Sequence, residues 1–147
     1  MVQIRDDSIG FRLNIIDNLS NDQSSLRDYS AELMKSLREN TAQNGIDWFL
    51  DLLRVSSCIP EIIKADSSEE KRYSKYTDTL LAFALEKIGL KAAVLDARGD
   101  AADVEAVGPG INMVGDAKVF RLSRTAKNQK DFKVDAMDKW KGGKPHA

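Results

Sequence analysis

The spacing of apolar residues changes once along this chain, at Gly89, and that change limits the folds open to it. Before Gly89 the apolar positions recur every three or four residues, as on helices; after it they come in short, β-branched-rich runs separated by turn residues. Such a chain builds a helical layer first and a small sheet second. The expected fold class is therefore α/β, or equally α+β: a helical N-terminal region, then a small mixed sheet with a flanking C-terminal helix.

From Ser8 to about Leu19, residues Ile9, Leu13, Ile16 and Leu19 fall on one side of a predicted helix. Ser24 or Ser25 can cap a second, striped by Leu26, Tyr29, Leu33 and Leu37 and closed at Asn40. A third runs from Ile46 to about Val55, burying Trp48, Leu52 and Val55, and Pro60 interrupts the chain after it. Asp66 or Ser67, with Glu69 and Glu70, opens a longer helix. It carries Tyr73, Tyr76, Leu80, Phe83, Ala84 and Ile88 at helical spacing, and Gly89 is placed to stop it. Three strands follow, at residues 92–95, 103–107 and 111–120, with Gly108-Pro109-Gly110 predicting a hairpin between the last two. Phe132, Ala136 and Trp140 predict a final helix from about Ala126 to Trp140, ended by Gly142 and Gly143.

At 147 residues one domain is expected. Lys and Arg number 22 against 23 Asp and Glu, so net charge alone points to no polyanionic partner. Its distribution does. Residues 117–147 hold 9 basic and 3 acidic side chains, whereas residues 1–116 hold 13 and 20, which makes the C-terminal part a candidate phosphate-binding surface. Cys58 is alone, excluding an intramolecular disulfide and favouring a reducing compartment. No window approaches the roughly 20 apolar residues of a membrane span, and the N-terminus lacks the pattern of a secretion signal. A soluble, cytoplasmic protein with no membrane partner is expected.

The chemistry-bearing constellation is Asp103, followed by Asp116-Ala117-Lys118 on the neighbouring predicted strand. If the hairpin forms, the two carboxylates converge, and their repulsion is relieved by a shared Mg²⁺ with phosphate and water completing its shell. Lys118 lies two residues beyond Asp116 and leaves the strand on the same side, so its ammonium can orient a nucleophilic water and offset charge on a scissile phosphate. Ala117 points the other way and offers its carbonyl as a further metal ligand. In the plain structural alternative, Asp116 and Lys118 form a solvated ion pair and Asp103 caps a turn. Against it stands the apolar strand context of both acids, where an uncompensated carboxylate is costly. Arg121, Arg124, Lys127, Lys130 and Lys133 then recur every third residue, a positive stripe suited to phosphates, with Ser123, Thr125, Asn128 and Gln129 as types that bond groove edges. The same stripe would also serve as the wet face of an amphipathic helix.

The segment Asp116 to Val134, with weaker similarity upstream through Asp103-Val104, Arg98-Gly99, Ser74-Lys75 and Ile59-Pro60-Glu61 to about Arg54, resembles the HindIII-like type II restriction endonucleases of the PD-(D/E)xK nuclease superfamily. The resemblance implies a nuclease core and Mg²⁺-dependent hydrolysis of both strands of a palindromic double-stranded DNA site, leaving 5′-phosphate ends. It also implies a homodimer and a cognate DNA methyltransferase as functional partner. It sets the metal-binding acids at Asp103 and Asp116 and the catalytic lysine at Lys118. Nucleases of this fold often add an acid from the preceding helix, where Glu70, Asp78 and Glu86 are all available. Residues 1–66 become a helical N-terminal region, 67–141 the nuclease core and 142–147 a flexible tail. Two departures stand out: Ala102, not proline, precedes Asp103, and a HindIII-like enzyme continues for about as many residues again, so this chain is expected to lack a C-terminal half. The alternative is a non-cleaving DNA-binding or subunit-interaction fragment of such an enzyme; a third reading is a repair or replication nuclease without sequence specificity. His146 has no nucleophilic partner in the sequence pattern, which leaves hydrolysis without a covalent intermediate.

Overall fold

Four helices come first, and their ends follow from single residues. The computed structural model describes residues 3–21, 24–95, 102–121 and 134–141. Helix α1 spans Asp6–Asn18, α2 Leu26–Asn44, α3 Ile46–Val55 and α4 Ser68–Lys87. Ser25 caps α2 by accepting from the Asp28 N–H, and Gly45, at φ 85°, ends it in a conformation that favours glycine. The helix thus passes through Asn40, whose side-chain amide donates to the Ser36 carbonyl at 2.9 Å instead of breaking the turn. Ser67 caps α4, accepting from the Glu70 N–H at 3.1 Å, while Glu70 reaches back to accept from the Asp66 N–H at 2.7 Å. Gly89, at φ 94°, follows its C-terminal end. Ser67→Ala is expected to cost about 1 kcal/mol, read as a lower urea midpoint at unchanged slope.

The first helix faces the core differently from its expected stripe. Ile16 and Leu19 of that stripe do meet the core, but Ile9 and Leu13 are 37% and 51% exposed, and Ser8, Phe11 and Ile15 take the inner side in their place. Arg12 lies on that inner side. Its guanidinium donates to the Cys58 carbonyl at 3.0 Å and to Tyr73 Oη at 3.2 Å, so a charged residue is satisfied on the inner side of the helix.

Helix α4 is the element that holds two layers together. Tyr73, Tyr76, Leu80 and Phe83 join Leu33, Leu37, Trp48, Phe49 and Leu52 of α2 and α3 in the main core. Thr77, Asp78, Thr79 and Ala82 are buried as well, and α4 also packs on the sheet. A helix apolar on one side only would not need this; burial on two sides is what brings its polar residues to the sheet.

The sheet has the order β1-β2-β3, with β1 at Lys91–Val94, β2 at Val104–Gly108 and β3 at Ile111–Gly115. Both pairings are antiparallel, so the sheet expected to be mixed is antiparallel among the described residues, and the parallel contact is an isolated bridge between Cys58 and Phe120. The expected hairpin is present: Gly108 pairs with Ile111 across Pro109-Gly110, and Gly110 takes φ 71°. The third strand ends at Gly115, five residues before the expected Phe120, and the chain beyond it leaves the ladder to meet Cys58. Helix α5, Val134–Lys141, packs on β3; the rest of the expected final helix and most of the connection between the first two strands, residues 96–101, lie outside the described residues. Among the described residues no helix is long and apolar enough to cross a membrane.

Candidate active site

The hairpin register decides where the acids go. Val104 pairs with Gly115, and one further step along an antiparallel pair sets Asp103 opposite Asp116. The Asp103 N–H donates to the Gly115 carbonyl at 3.2 Å, and the Asp103 carbonyl accepts from the Leu95 N–H at 2.8 Å, so this residue is fixed by neighbours on both sides. Opposed positions in a sheet stand within about 5.5 Å, which is why two carboxylates are driven together here.

The third acid comes from α4. Asp78 is 4% exposed, and one oxygen from each of Asp78, Asp103 and Asp116 lies within 4.8 Å of the others. Lys118 Nζ stands 2.6 Å from Asp116 Oδ2, an ion pair made beyond the end of β3 and not on the expected strand. The other oxygen, Asp116 Oδ1, is buried without a hydrogen-bond partner. Behind Asp78 lies Lys75, whose Nζ is 3.7 Å from Asp78 Oδ2 and donates to the Leu95 carbonyl at 3.1 Å.

Crowding shows in the protonation of the cluster. Burial, and then the Asp103 charge, pushes Asp78 up to about 7 against the opposing pull of Lys75. Burial also leads at Asp103, which rises to about 6 with the neighbouring Asp116 carboxylate adding to it. Both values lie above the ordinary 3.8, so between about pH 4 and pH 7 these two carboxyls bind more protons in the folded chain than in the unfolded one. Their contribution to stability without a cation therefore falls as pH rises through that window. Asp78→Asn is expected to flatten the fall, because it removes the carboxyl whose titration is most displaced. Thermal melts at pH 5 and pH 8 check it.

The three acids left open on α4 have distinct surroundings. Glu70 Oε1 accepts from Arg121 Nη2 at 2.8 Å and Nε at 3.2 Å, and Glu86 forms a paired contact with Arg38 at 3.0 and 2.8 Å. Asp78 alone of the three stands with Asp103 and Asp116. Arg121 itself departs from the expected phosphate-facing stripe. It is 6% exposed, and besides Glu70 it donates to the Pro60 carbonyl at 3.4 Å, so its charge is neutralised inside the fold. Ala117, expected to turn to the core, is half-buried. Ser123, Arg124, Thr125, Lys127, Asn128 and Lys130 lie outside the described residues, as does His146.

The family model for the HindIII restriction endonuclease matches residues 12–147. The chain belongs to the HindIII restriction endonuclease family. It is 40% identical over 138 residues to the type II restriction enzyme HindIII of Haemophilus influenzae, an alignment covering 92% of this chain and 44% of that protein. The chain thus spans less than half the length of this HindIII relative. The family match reaches back to residue 12, far beyond the residue near 54 at which likeness is legible by motif, and so takes in the helical layer as well as the acid cluster.

Proposed function

We propose that the chain is the catalytic part of a type II restriction endonuclease that uses Mg²⁺ to hydrolyse phosphodiester bonds in a palindromic double-stranded DNA site. The observation that carries this reading is the meeting of Asp78 of α4 with Asp103, just before β2, and Asp116, just after β3, with the Lys118 ammonium beside the last. A divalent cation suits these residues. Their donors are hard carboxylate oxygens, one of them buried and unpartnered, and their mutual repulsion is what a cation removes. Asp78, Asp103 and Asp116 would hold it, with the Ala117 carbonyl as a further donor. When bound, Mg²⁺ supplies Lewis acidity towards the phosphoryl oxygens and acidifies water.

The chain's own residues account for the rest. Lys118 orients the attacking water and offsets the charge that gathers on the phosphoryl oxygens as the water oxygen bonds to phosphorus. The attacking water gives up one proton to solvent, the bond from phosphorus to the 3′-oxygen breaks, that oxygen takes a proton from solvent, and the 5′-phosphate remains on the downstream strand. Ser123, Arg124, Thr125, Lys127, Asn128 and Lys130 follow the site in sequence and supply phosphate and groove contacts, with Arg121 anchoring their start on Glu70. Residues 67–141 form the nuclease core on the helical region of residues 1–66. Two such chains act on the two strands of a palindrome as a homodimer. A cytoplasmic restriction-modification system, with a DNA methyltransferase protecting the same site, is the setting for this activity.

Plasmid DNA incubated with the protein and Mg²⁺, beside a gel-shift series in Ca²⁺, tests the reading. Discrete fragments are expected. A smear would point to a nuclease without sequence preference, and retardation with no cutting would contradict the catalytic assignment in favour of a DNA-binding module.

A further inference from the structure

Lys75 is charged, largely enclosed and absent from the reaction just described. Its side chain is 12% exposed, against 31% for Lys118, so it meets the acid cluster from within the fold while Lys118 meets it from the solvent side. Removing an ammonium from water is costly unless opposite charge and acceptors compensate. The compensation here is Asp78 Oδ2 at 3.7 Å and the Leu95 carbonyl at 3.1 Å.

We propose that Lys75 is a resident counter-ion of the acidic site: it holds Asp78 in place and steadies the three carboxylates while no divalent cation is bound, at the expense of affinity for that cation. The proposal rests on the metal-site reading above. Asp78, Asp103 and Asp116 present up to three negative charges, faced by Lys118 and Lys75, and both amines act electrostatically on Asp78 and Asp103. An arriving divalent cation takes over the neutralising role and is repelled by the amine already present. Lys75 is a positioning residue, acting on the reaction through Asp78.

Lys75→Gln keeps a donor for the Leu95 carbonyl and deletes the charge, while Lys75→Arg keeps the charge. The probe is Mn²⁺ at pH 8.5, followed by thermal melts and by calorimetric titration, with no DNA present. For Lys75→Gln the metal-free melting temperature is expected to fall by about 5 °C, with most of the loss regained on adding Mn²⁺. Its Mn²⁺ affinity is expected to rise at least about threefold, and Lys75→Arg should match the unaltered chain in both respects. An equal loss of melting temperature with and without Mn²⁺, or unchanged affinity, would reduce Lys75 to a packing residue and overturn the proposal while leaving the metal site standing. If the unaltered chain shows no Mn²⁺ binding at all, the metal-site reading falls and this proposal falls with it.

Discussion

Asp116→Asn is expected to lower Mg²⁺-dependent cleavage of the target DNA by at least about 10³-fold, the scale on which loss of one preorganised electrostatic group acts, without unfolding the chain. The residue has two tasks that asparagine cannot share between them. One oxygen holds the Lys118 ammonium at 2.6 Å, and the other is buried without a partner beside Asp78 and Asp103. The amide keeps the shape of the side chain and removes a charge from a repulsive cluster, so the melting temperature without metal should hold or rise. Lys118→Ala should cost about 10² to 10³-fold through a different route, since it deletes the charge facing the phosphoryl group and leaves all three acids. Single-turnover cleavage with circular dichroism on the same samples separates loss of chemistry from loss of fold. Full cleavage by either variant would contradict the assignment.

Arg121→Ala has the largest expected effect on stability, a loss of about 3 kcal/mol, the low end of what breaking a buried ion pair costs because Glu70 retains some access to water. Glu70 is then left with its carboxylate beside the start of α4, and the Pro60 carbonyl loses a donor. The contact also joins distant parts of the chain: Arg121 follows Phe120, which bridges Cys58 and accepts from the Ile59 N–H at 3.1 Å. Through it the segment leaving Asp116-Ala117-Lys118 is tied back to the helical layer. For a domain of this size the melting temperature should fall by roughly 10 °C. Replacing both partners, as Arg121→Met with Glu70→Gln, should recover much of the loss, because it leaves no buried charge alone. A double variant no more stable than Arg121→Ala would show that the pair is not the source of the effect.

These consequences were unevenly legible in the sequence, and the division is physical. Helix ends could be read to within a residue, at Ser24 or Ser25, at Asp66 or Ser67 and at Gly89, because capping and left-handed backbone depend on the identity of one residue; the caps are Ser25 and Ser67. The hairpin could be read from Gly108-Pro109-Gly110, and its register then carried Asp103 to Asp116, since a strand leaves its partner little freedom once the turn is fixed. What depended on the partner element was hidden. Arg121 belongs by spacing to a basic stripe, and its burial is decided by Glu70, fifty-one residues away. The inner side of α1 was misplaced because Arg12 finds acceptors on other elements.

Asp78 falls between these cases. Glu70, Asp78 and Glu86 all sit on α4, and helical spacing does not choose among them. Yet residues 76–85 carry no charge except Asp78, whereas Glu70 and Glu86 each stand beside charged neighbours. A lone carboxylate in such a run is costly to bury without a purpose. That signal could have singled it out.

The central claim is that three carboxylates, one from α4 and two from the open end of the β2-β3 hairpin, form one cation site, and crystals of the protein grown with Mn²⁺ test it most directly through anomalous scattering. The account predicts a peak roughly 2.1 Å from an oxygen of each of Asp78, Asp103 and Asp116. An ion bound elsewhere, or no ion within reach of these three side chains, would contradict it.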